Sequence, residues 1–341
     1  MKIAISTIYG ELYTEDRLFN NSFCNVGENL LMPNILLKRE LEKKGHEVHT
    51  VDIMARYDVI IFLDIPKDSW LTVESFIDKI KYILKRKWKK DYLYEATRNI
   101  SKEQIFLQIN EPPTVASQSY NISYHKYFGK VFTWNDRLVD RDRYIKFYIP
   151  QYWDGKEYRI PFNEKNDFVI IAGNKSSAHP NELYTKRREV IEYFEKHNEL
   201  DFSLYGFGWE REKYNNYKGT VDKKLETLSR YKFCFCFENI RDCPGYITEK
   251  LFDCFFAECI PIYLGADNIG DYIDKELFID MRKYSTIDDV ISYAKRMSEN
   301  EYMNILDKIK VYLKSDRFSN TFACKNYVET IWEELVGAKE K

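Results

Sequence analysis

The chain lacks any long hydrophobic segment. Its unbroken apolar runs are only a few residues long, whereas about 20 consecutive apolar residues are needed to span a bilayer. The N-terminus, Met1-Lys2-Ile3, soon reaches the charged residues Glu11 to Arg17, so we expect it to form a first strand and not a signal peptide. The sequence therefore predicts no membrane span and a cytoplasmic location.

A strong charge of either sign is also lacking. The 52 basic residues nearly balance the 54 acidic ones, which leaves a net charge of −2 and gives no reason to expect a nucleic-acid partner. Seven cysteines include no Cys-x-x-Cys pair, which is typical of reduced, packed thiols. A metal site at Cys234, Cys236 and Cys243 is disfavoured because the first two share one apolar run, so we predict neither a metal nor a cofactor.

The length of 341 residues suggests about two domains. In the first part, apolar segments alternate with a predicted helix, a pattern typical of βαβ units and a parallel sheet. The predicted strands are residues 2–7, 47–51, 59–63 and 105–109, and the predicted helix is 28–44. Because this pattern breaks down between 137 and 155, we place a linker there. The predicted domains are 1–150 and 151–320, with residues 321–341 as a C-terminal helix that packs back on the first domain.

The most specific pattern lies between Tyr231 and Asp267. Phe233–Phe237 is apolar without alternation, as in a strand covered on both faces, and Ile260–Leu264 forms a second strand. Between them, Thr248 is suited to cap the start of a helix. In open α/β sheets, ligands bind beyond the carboxyl ends of strands, and helix N-termini there hold anions.

Lys250 is the informative residue of this helix. A cation in the first turn opposes the helix dipole by about 0.3–1 kcal/mol, so its presence indicates a bound anion nearby. The neighbouring Glu249 has two interpretations, contact with a ligand or an ordinary acidic residue of a first turn.

The same stretch resembles a known family. Phe237-Glu238-Asn239, Tyr246-Ile-Thr-Glu-Lys-Leu-Phe-Asp and Ile260-Pro-Ile-Tyr-Leu-Gly-Ala are similar to the donor-binding signature of the α1,3/4-fucosyltransferases of glycosyltransferase family 10. The resemblance is best over residues 167 to about 315 and patchy before them, and Cys259 stands where relatives usually have a small residue. It implies an α/β fold of the GT-B type, with two Rossmann-like lobes and an interdomain cleft, the C-terminal lobe for GDP-sugar and the N-terminal lobe for the acceptor.

The resemblance also implies a set of donor-binding residues. These are Arg187, Glu238, Asn239, Tyr246, Glu249 and Lys250. Arg188 is the near alternative to Arg187 for the diphosphate. From its position after a strand, the loop Gly173-Asn174-Lys175-Ser176 is a further candidate for phosphate binding through backbone N–H groups, although it lacks the P-loop spacing.

Glu111 is the candidate general base. It follows the predicted strand 105–109, and Pro112 and Pro113 stiffen the turn after it. A carboxylate held at a strand end can deprotonate an acceptor hydroxyl, and the resemblance assigns that role to a glutamate in a similar element. The alternative is an ordinary acidic turn residue.

The expected activity is the inverting transfer of fucose from GDP-fucose to a glycan hydroxyl, most simply O3 of GlcNAc or a related residue, forming an α1,3 linkage. A metal-independent mechanism is expected, in which side chains of the protein neutralise the diphosphate. Two alternatives stay open: a transferase of the same fold with another GDP-sugar or an α1,4 or α1,2 linkage, and a non-catalytic nucleotide- or glycan-binding protein.

Residues 73–90 combine apolar residues at helical spacing with a cluster of cations. The apolar positions are Val73, Phe76, Ile77, Ile80, Leu84 and Trp88. The cations are Lys79, Lys81, Lys85, Arg86, Lys87, Lys89 and Lys90. One interpretation is peripheral contact with an anionic membrane or a lipid-linked acceptor. The other is a helix that packs its apolar face on the core and exposes its charges.

Overall fold

The computed structural model describes residues 1–24, 27–85 and 90–337, and the chain divides into two compact units. The first comprises Met1–Pro150 and the chain from Cys324 onward, and the second comprises Gln151–Ala323. Each unit contains one six-stranded sheet. Every strand pairing is parallel. The predicted α/β class with parallel sheets is therefore confirmed.

The first unit has the sheet order β2-β1-β3-β4-β5-β6. Its strands are β1 (Lys2–Thr7), β2 (Glu47–Thr50), β3 (Val59–Leu63), β4 (Ile105–Ile109), β5 (Lys130–Thr133) and β6 (Tyr144–Lys146), and its helices before the second unit are α1 (Met32–Lys43), α2 (Phe76–Lys85) and α3 (Tyr92–Asn99). Strands β3 and β4 are buried at every position, as expected of central strands with both faces covered.

The second unit has the order β12-β11-β10-β7-β8-β9. Its strands are β7 (Asn166–Ile171), β8 (Phe202–Tyr205), β9 (Tyr217–Gly219), β10 (Tyr231–Phe237), β11 (Ile260–Leu264) and β12 (Ile279–Asp280). Its helices are α4 (Tyr184–Lys196), α5 (Lys224–Ser229), α6 (Glu249–Phe256), α7 (Ile269–Tyr272), α8 (Ile287–Arg296), α9 (Glu299–Leu313) and α10 (Asp316–Ser319). The strand order reverses between β7 and β10, and doubly wound sheets bind ligands at such a switch point.

The C-terminal helix α11 (Cys324–Gly337) packs within the first unit. The Tyr327 hydroxyl donates to Oε1 of Gln108 at 3.0 Å, and the Trp332 ring lies 4.9 Å from that of His46. Lys130 and Glu334 form an ion pair at 3.2 Å. The last helix is thus fixed by contacts with three separate parts of the first unit.

Two element boundaries differ from the sequence prediction. Helix α1 begins at Met32 and not at residue 28, because Pro33 suits the first turn of a helix and not its interior. The segment expected to be a linker contains β6, an edge strand without an apolar pattern. The Asp140 carboxylate holds it in place by accepting from the backbone N–H groups of Asp142, Arg143 and Tyr144.

The helix predicted over residues 73–88 begins later in the structure, at Phe76. Helix α2 spans Phe76–Lys85, and Arg86, Lys87, Trp88 and Lys89 lie outside the described residues. In the part of the chain that is described, no helix is long and apolar enough to cross a membrane.

We predict that shortening a buried side chain of α11 destabilises the protein. Ile331 is fully buried, so Ile331→Ala should lower the free energy of unfolding by about 2–5 kcal/mol, measured by urea denaturation. The exposed Glu333 lies on the same helix, and Glu333→Ala should leave stability nearly unchanged. Equal stabilities of the two variants would contradict the packing described for α11.

Candidate active site

A capped helix start follows the central strand of the second unit. Thr248 has extended backbone geometry, and its hydroxyl oxygen accepts from the backbone N–H of Lys250 at 3.4 Å. Helix α6 therefore begins at Glu249, as predicted. Its N-terminus lies after β10, at the edge of the sheet where the carboxyl ends of β7 and β10 meet.

Glu238 lies fully buried at the end of β10. Its Oε1 accepts from the backbone N–H of Thr248 at 2.9 Å, and its Oε2 accepts from the Thr248 hydroxyl at 2.8 Å. The ammonium group of Lys250 lies 3.4 Å from Oε2. Burial, with the charge of Glu249, raises the pKa of Glu238, and the charge of Lys250 and the Thr248 bonds oppose that rise. The backbone N–H of Thr248 and the ammonium group of Lys250 are donors, which favour the carboxylate form.

Lys250 is held between two carboxylates. Its Nζ donates to the Thr248 hydroxyl at 3.0 Å and to Oε1 of Glu249 at 3.2 Å. Burial lowers the pKa of Lys250, but Glu249 and Glu238 outweigh that effect and raise it. For Glu249 the effects have the opposite sign. Burial raises its pKa, but the charges of Lys250 and Lys224 outweigh burial and lower the pKa from 4.5 to about 2. Lys250 and Glu249 therefore both stay charged at neutral pH.

Arg187 reaches the same strand end from α4. It is buried, and its Nη2 donates to the carbonyl of Phe237 at 2.6 Å and to Oδ1 of Asn239 at 3.0 Å. Burial lowers the pKa of this guanidinium, and the nearby Tyr184 and Glu238 oppose that shift. The structure thus brings Arg187 together with Glu238, Asn239 and Lys250.

Arg188 points elsewhere. Its Nη1 donates to the carbonyl of Lys175 at 2.7 Å, so it supports the exposed loop after β7. In that loop, the Asn174 side chain donates to the carbonyl of Gly208 at 3.1 Å. The predicted phosphate loop, with Gly173 and Ser176, therefore lies at the carboxyl end of β7, and its role in binding stays a prediction.

A second acidic site lies in the first unit. Glu111 follows β4, and its Oε1 accepts a hydrogen bond from the hydroxyl of Tyr9, which follows β1. Burial and the charge of Glu111 both raise the pKa of Tyr9, so the phenol stays protonated and able to donate. The Tyr120 hydroxyl also donates to the Glu111 carbonyl at 2.7 Å. The predicted base is therefore fixed at the side chain and at the backbone.

Asp64, directly after β3, supports the Glu111 loop. This buried residue has a left-handed backbone with φ of 65°. Its Oδ2 accepts from the backbone N–H groups of Glu111 at 3.0 Å and Asn110 at 3.3 Å. Burial, with the charge of Glu111, raises the pKa of Asp64 well above its usual value.

All seven cysteines are free thiols. Across residues 1–24, 27–85 and 90–337, no group of three or more His, Cys, Asp or Glu side chains is arranged to hold a metal ion. The expectation of a metal-independent reaction stays a prediction.

The sequence of the C-terminal half of the chain decides the family. The model described as "Glycosyltransferase family 10 (fucosyltransferase) C-term" matches residues 163–334, which are half of the chain. The chain belongs to glycosyltransferase family 10. The resemblance found in the donor-binding signature is thereby confirmed.

Curated relatives in family 10 match shorter segments. The α-(1,3)-fucosyltransferase FucT of Helicobacter pylori is 36% identical over 88 residues, which are 25% of this chain and 18% of the relative. The 4-galactosyl-N-acetylglucosaminide 3-α-L-fucosyltransferase 9 of Bos taurus is 33% identical over 110 residues, 30% of each chain. The chain therefore spans less than a third of the length of these relatives.

A solved structure extends the likeness to the whole fold. A crystal structure of an α1,3-fucosyltransferase with GDP-fucose matches 98% of this chain and 90% of its own, with a TM-score of 0.56 and 17% sequence identity. At this identity, the match shows the fold alone. It confirms the predicted class, a GT-B fold with two Rossmann-like lobes.

The sequence analysis missed two side chains of the acidic site. Asp64 directly follows β3, and Tyr9 comes two residues after β1. Both lie outside residues 163–334, which the family model matches. The available signal was positional, since polar residues after neighbouring parallel strands meet at one edge of a sheet.

We predict that a methyl group at Gly265 disturbs the buried carboxylate. A Cβ there would lie 2.5 Å from Cγ of Glu238 and 2.5 Å from the hydroxyl oxygen of Tyr263. Gly265→Ala should therefore lower the free energy of unfolding by about 1–3 kcal/mol, measured by urea denaturation. A Cβ at Gly337 would meet nothing within 4 Å, so Gly337→Ala is the control. If both variants match the wild type, the close packing around Glu238 is wrong.

Proposed function

We propose that the protein transfers fucose from GDP-fucose to O3 of GlcNAc or a related residue of a glycan, oligosaccharide or lipid-linked, and forms an α1,3 linkage. Membership of family 10 and the names of the matching relatives support this proposal. The observation that carries it is the charged Lys250, held by Glu238 and Glu249 at the helix start beyond β10. A cation in that position suits a nucleotide diphosphate.

Departure of GDP develops negative charge on the β-phosphate. Lys250 and the backbone N–H groups at the start of α6 would stabilise that charge electrostatically. Arg187 would add a second cation. Its contacts in the described residues use Nη2, and a guanidinium has five N–H donors, so it can hold Asn239 and bind a phosphate oxygen together. The exposed loop 173–176 would supply backbone N–H groups.

The burial of each side chain divides the roles of the other predicted donor residues. Glu238 and Tyr246 are buried, so we assign Glu238 to positioning Lys250 and Tyr246 to shaping the wall of the site. Asn239 and Glu249 are half-buried, and their oxygens can accept from hydroxyl groups of the sugar or the ribose.

On the acceptor side, Glu111 would act as general base. Its carboxylate takes the proton of the acceptor hydroxyl, whose oxygen forms a bond to the anomeric carbon of the donor. The bond from that carbon to the β-phosphate oxygen breaks, and GDP leaves with the electron pair. In-line displacement inverts the anomeric centre, so a β-linked donor gives an α-linked product. The Tyr9 hydrogen bond would keep the carboxylate in its ionised form.

The test is incubation with GDP-fucose and a small acceptor array that includes N-acetyllactosamine, with products identified by mass spectrometry and linkage analysis. Glu111→Gln should reduce turnover by about 10²–10⁴-fold without changing GDP affinity. Lys250→Ala should weaken GDP binding and turnover together. Glu103→Gln, an exposed position before β4, is the control for Glu111.

Other outcomes identify the competing functions. Transfer from another GDP-sugar, or an α1,4 or α1,2 product, would replace the proposed specificity and leave the site assignment intact. GDP binding without transfer to any acceptor would indicate a non-catalytic binding protein. Unchanged turnover of Lys250→Ala would contradict the proposed donor site.

We further predict that Asp64 positions Glu111. Asp64→Ala removes the acceptor of two backbone N–H groups and places Ala in a left-handed conformation that it disfavours. The turnover number should fall by about 10- to 100-fold, with the affinity for GDP unchanged. Asp64→Asn keeps an acceptor oxygen and tolerates the backbone, so it should recover most of the activity.

The exposed Asp142 provides a matched control, Asp142→Ala. Steady-state kinetics separates turnover from affinity, and isothermal titration with GDP measures donor binding directly. If Asp64→Asn loses as much activity as Asp64→Ala while both remain folded, the positioning role is wrong.

A further inference from the structure

Helix α2 exposes its apolar face. The exposed fractions are 65% for Ile77, 44% for Ile80, 59% for Ile83 and 68% for Leu84. At 100° per residue, these four positions fall within an arc of about 120°, so they form one continuous stripe, here called the α2 stripe. The stripe is not packed on the core of the first unit, which removes the interpretation of α2 as a core-packed helix with an exposed charged face.

The helix is anchored by its other side. Tyr82 is buried, and its hydroxyl donates to Oδ2 of Asp91 at 2.6 Å. The ring of Trp70 lies 5.6 Å from that of Tyr82. Asp91 in turn caps α3 by accepting from the backbone N–H of Tyr94. The position of α2 therefore depends on Tyr82, which leaves the α2 stripe available for another surface.

Cations border the α2 stripe on both sides. The helical period places Lys79 beyond Ile83 on one side and Lys81 beyond Ile77 on the other. Lys81 also forms an exposed ion pair with Asp78 at 3.3 Å. Lys79 lies over the ring of Trp70 at 5.5 Å. Lysines at the border of an apolar face can extend their ammonium groups to a polar interface while their methylene groups cover apolar surface.

We propose that the α2 stripe docks on an anionic lipid surface. Isolated surface aliphatic side chains are ordinary, but a contiguous exposed stripe indicates an interaction site. Aliphatic side chains flanked by lysines match an interfacial helix, which buries its apolar face among the acyl chains and places its cations among anionic headgroups. The charge complementarity therefore favours lipid over a neutral apolar partner.

The length of α2 limits how it can contact a bilayer. The described part of α2, Phe76–Lys85, is about 15 Å long, half the thickness of the hydrocarbon core of a bilayer. A helical segment of this length can lie in the interface. The contact is peripheral and reversible, and it needs both the apolar side chains and the lysines.

The test is co-sedimentation of the whole protein with vesicles of phosphatidylcholine alone or mixed with phosphatidylglycerol. The wild type should bind the mixed vesicles more tightly, and rising salt should weaken that binding. Ile77→Ser/Ile83→Ser/Leu84→Ser should weaken it by about tenfold or more. The control is Met303→Ser/Val311→Ser, which changes exposed apolar residues of α9 and should bind as the wild type does.

A second pair of variants tests the lysines. Lys79→Glu/Lys81→Glu should reduce binding to the mixed vesicles and its salt dependence, whereas Lys218→Glu/Lys283→Glu, at exposed positions elsewhere, should change both less. Circular dichroism and GDP affinity verify that each variant is folded, independently of any transferase activity.

Three results would overturn the proposal. The first is a wild type that does not bind the mixed vesicles, and the second is a wild type that binds vesicles of phosphatidylcholine alone equally well. The third is a triple serine variant that binds the mixed vesicles as tightly as the wild type does. Sedimentation velocity of the wild type and the triple serine variant tests whether the α2 stripe joins two copies of the chain. A dimer that the triple serine variant dissociates would assign the α2 stripe to contact between two copies of the chain, and the lipid assignment would be wrong.

Discussion

The candidate donor site depends on one buried carboxylate. A charged group without access to water is tolerated only when it is paired and hydrogen-bonded, and Glu238 meets that condition through Thr248 and Lys250. The same contacts fix the start of α6 and the position of the ammonium group. Gly265 allows the carboxylate to fit, because a side chain there would occupy its space. Movement of Lys250 would leave Glu238 buried without its cation, so these contacts oppose rearrangement of the two side chains.

The first unit also has a buried carboxyl group, Asp64, whose partners include backbone N–H groups. Asp64 accepts from backbone N–H groups of the Glu111 loop, but burial, with the charge of Glu111, keeps the pKa of Asp64 high. A neutral Asp64 would spare Glu111 the repulsion of a second negative charge. The protonated Tyr9 adds a donor to Glu111. In both units, a buried carboxyl group positions the residue whose charge the proposed mechanism uses.

The sequence predicted these features unequally, for physical reasons. Strands β3, β4 and β11 were predicted at their observed bounds, because buried parallel strands are short apolar runs with clear ends. The cap at Thr248 was equally readable, since it depends on local side-chain chemistry. Strand β6 could not be read, because the Asp140 carboxylate and pairing with β5 stabilise it and its own residues carry no apolar pattern. Asp64 was missed because its partner lies 47 residues away.

Helix α2 shows where periodicity stops being informative. The spacing of apolar residues predicts that a helix forms and which side chains share a face, but it does not state what covers that face. Burial on a protein core and burial on a lipid surface select the same pattern, since both remove apolar side chains from water. The difference lies in tertiary placement. Because Tyr82 turns the opposite side of α2 toward the first unit, its aliphatic side chains stay exposed, and an anionic surface is the partner that their flanking lysines favour.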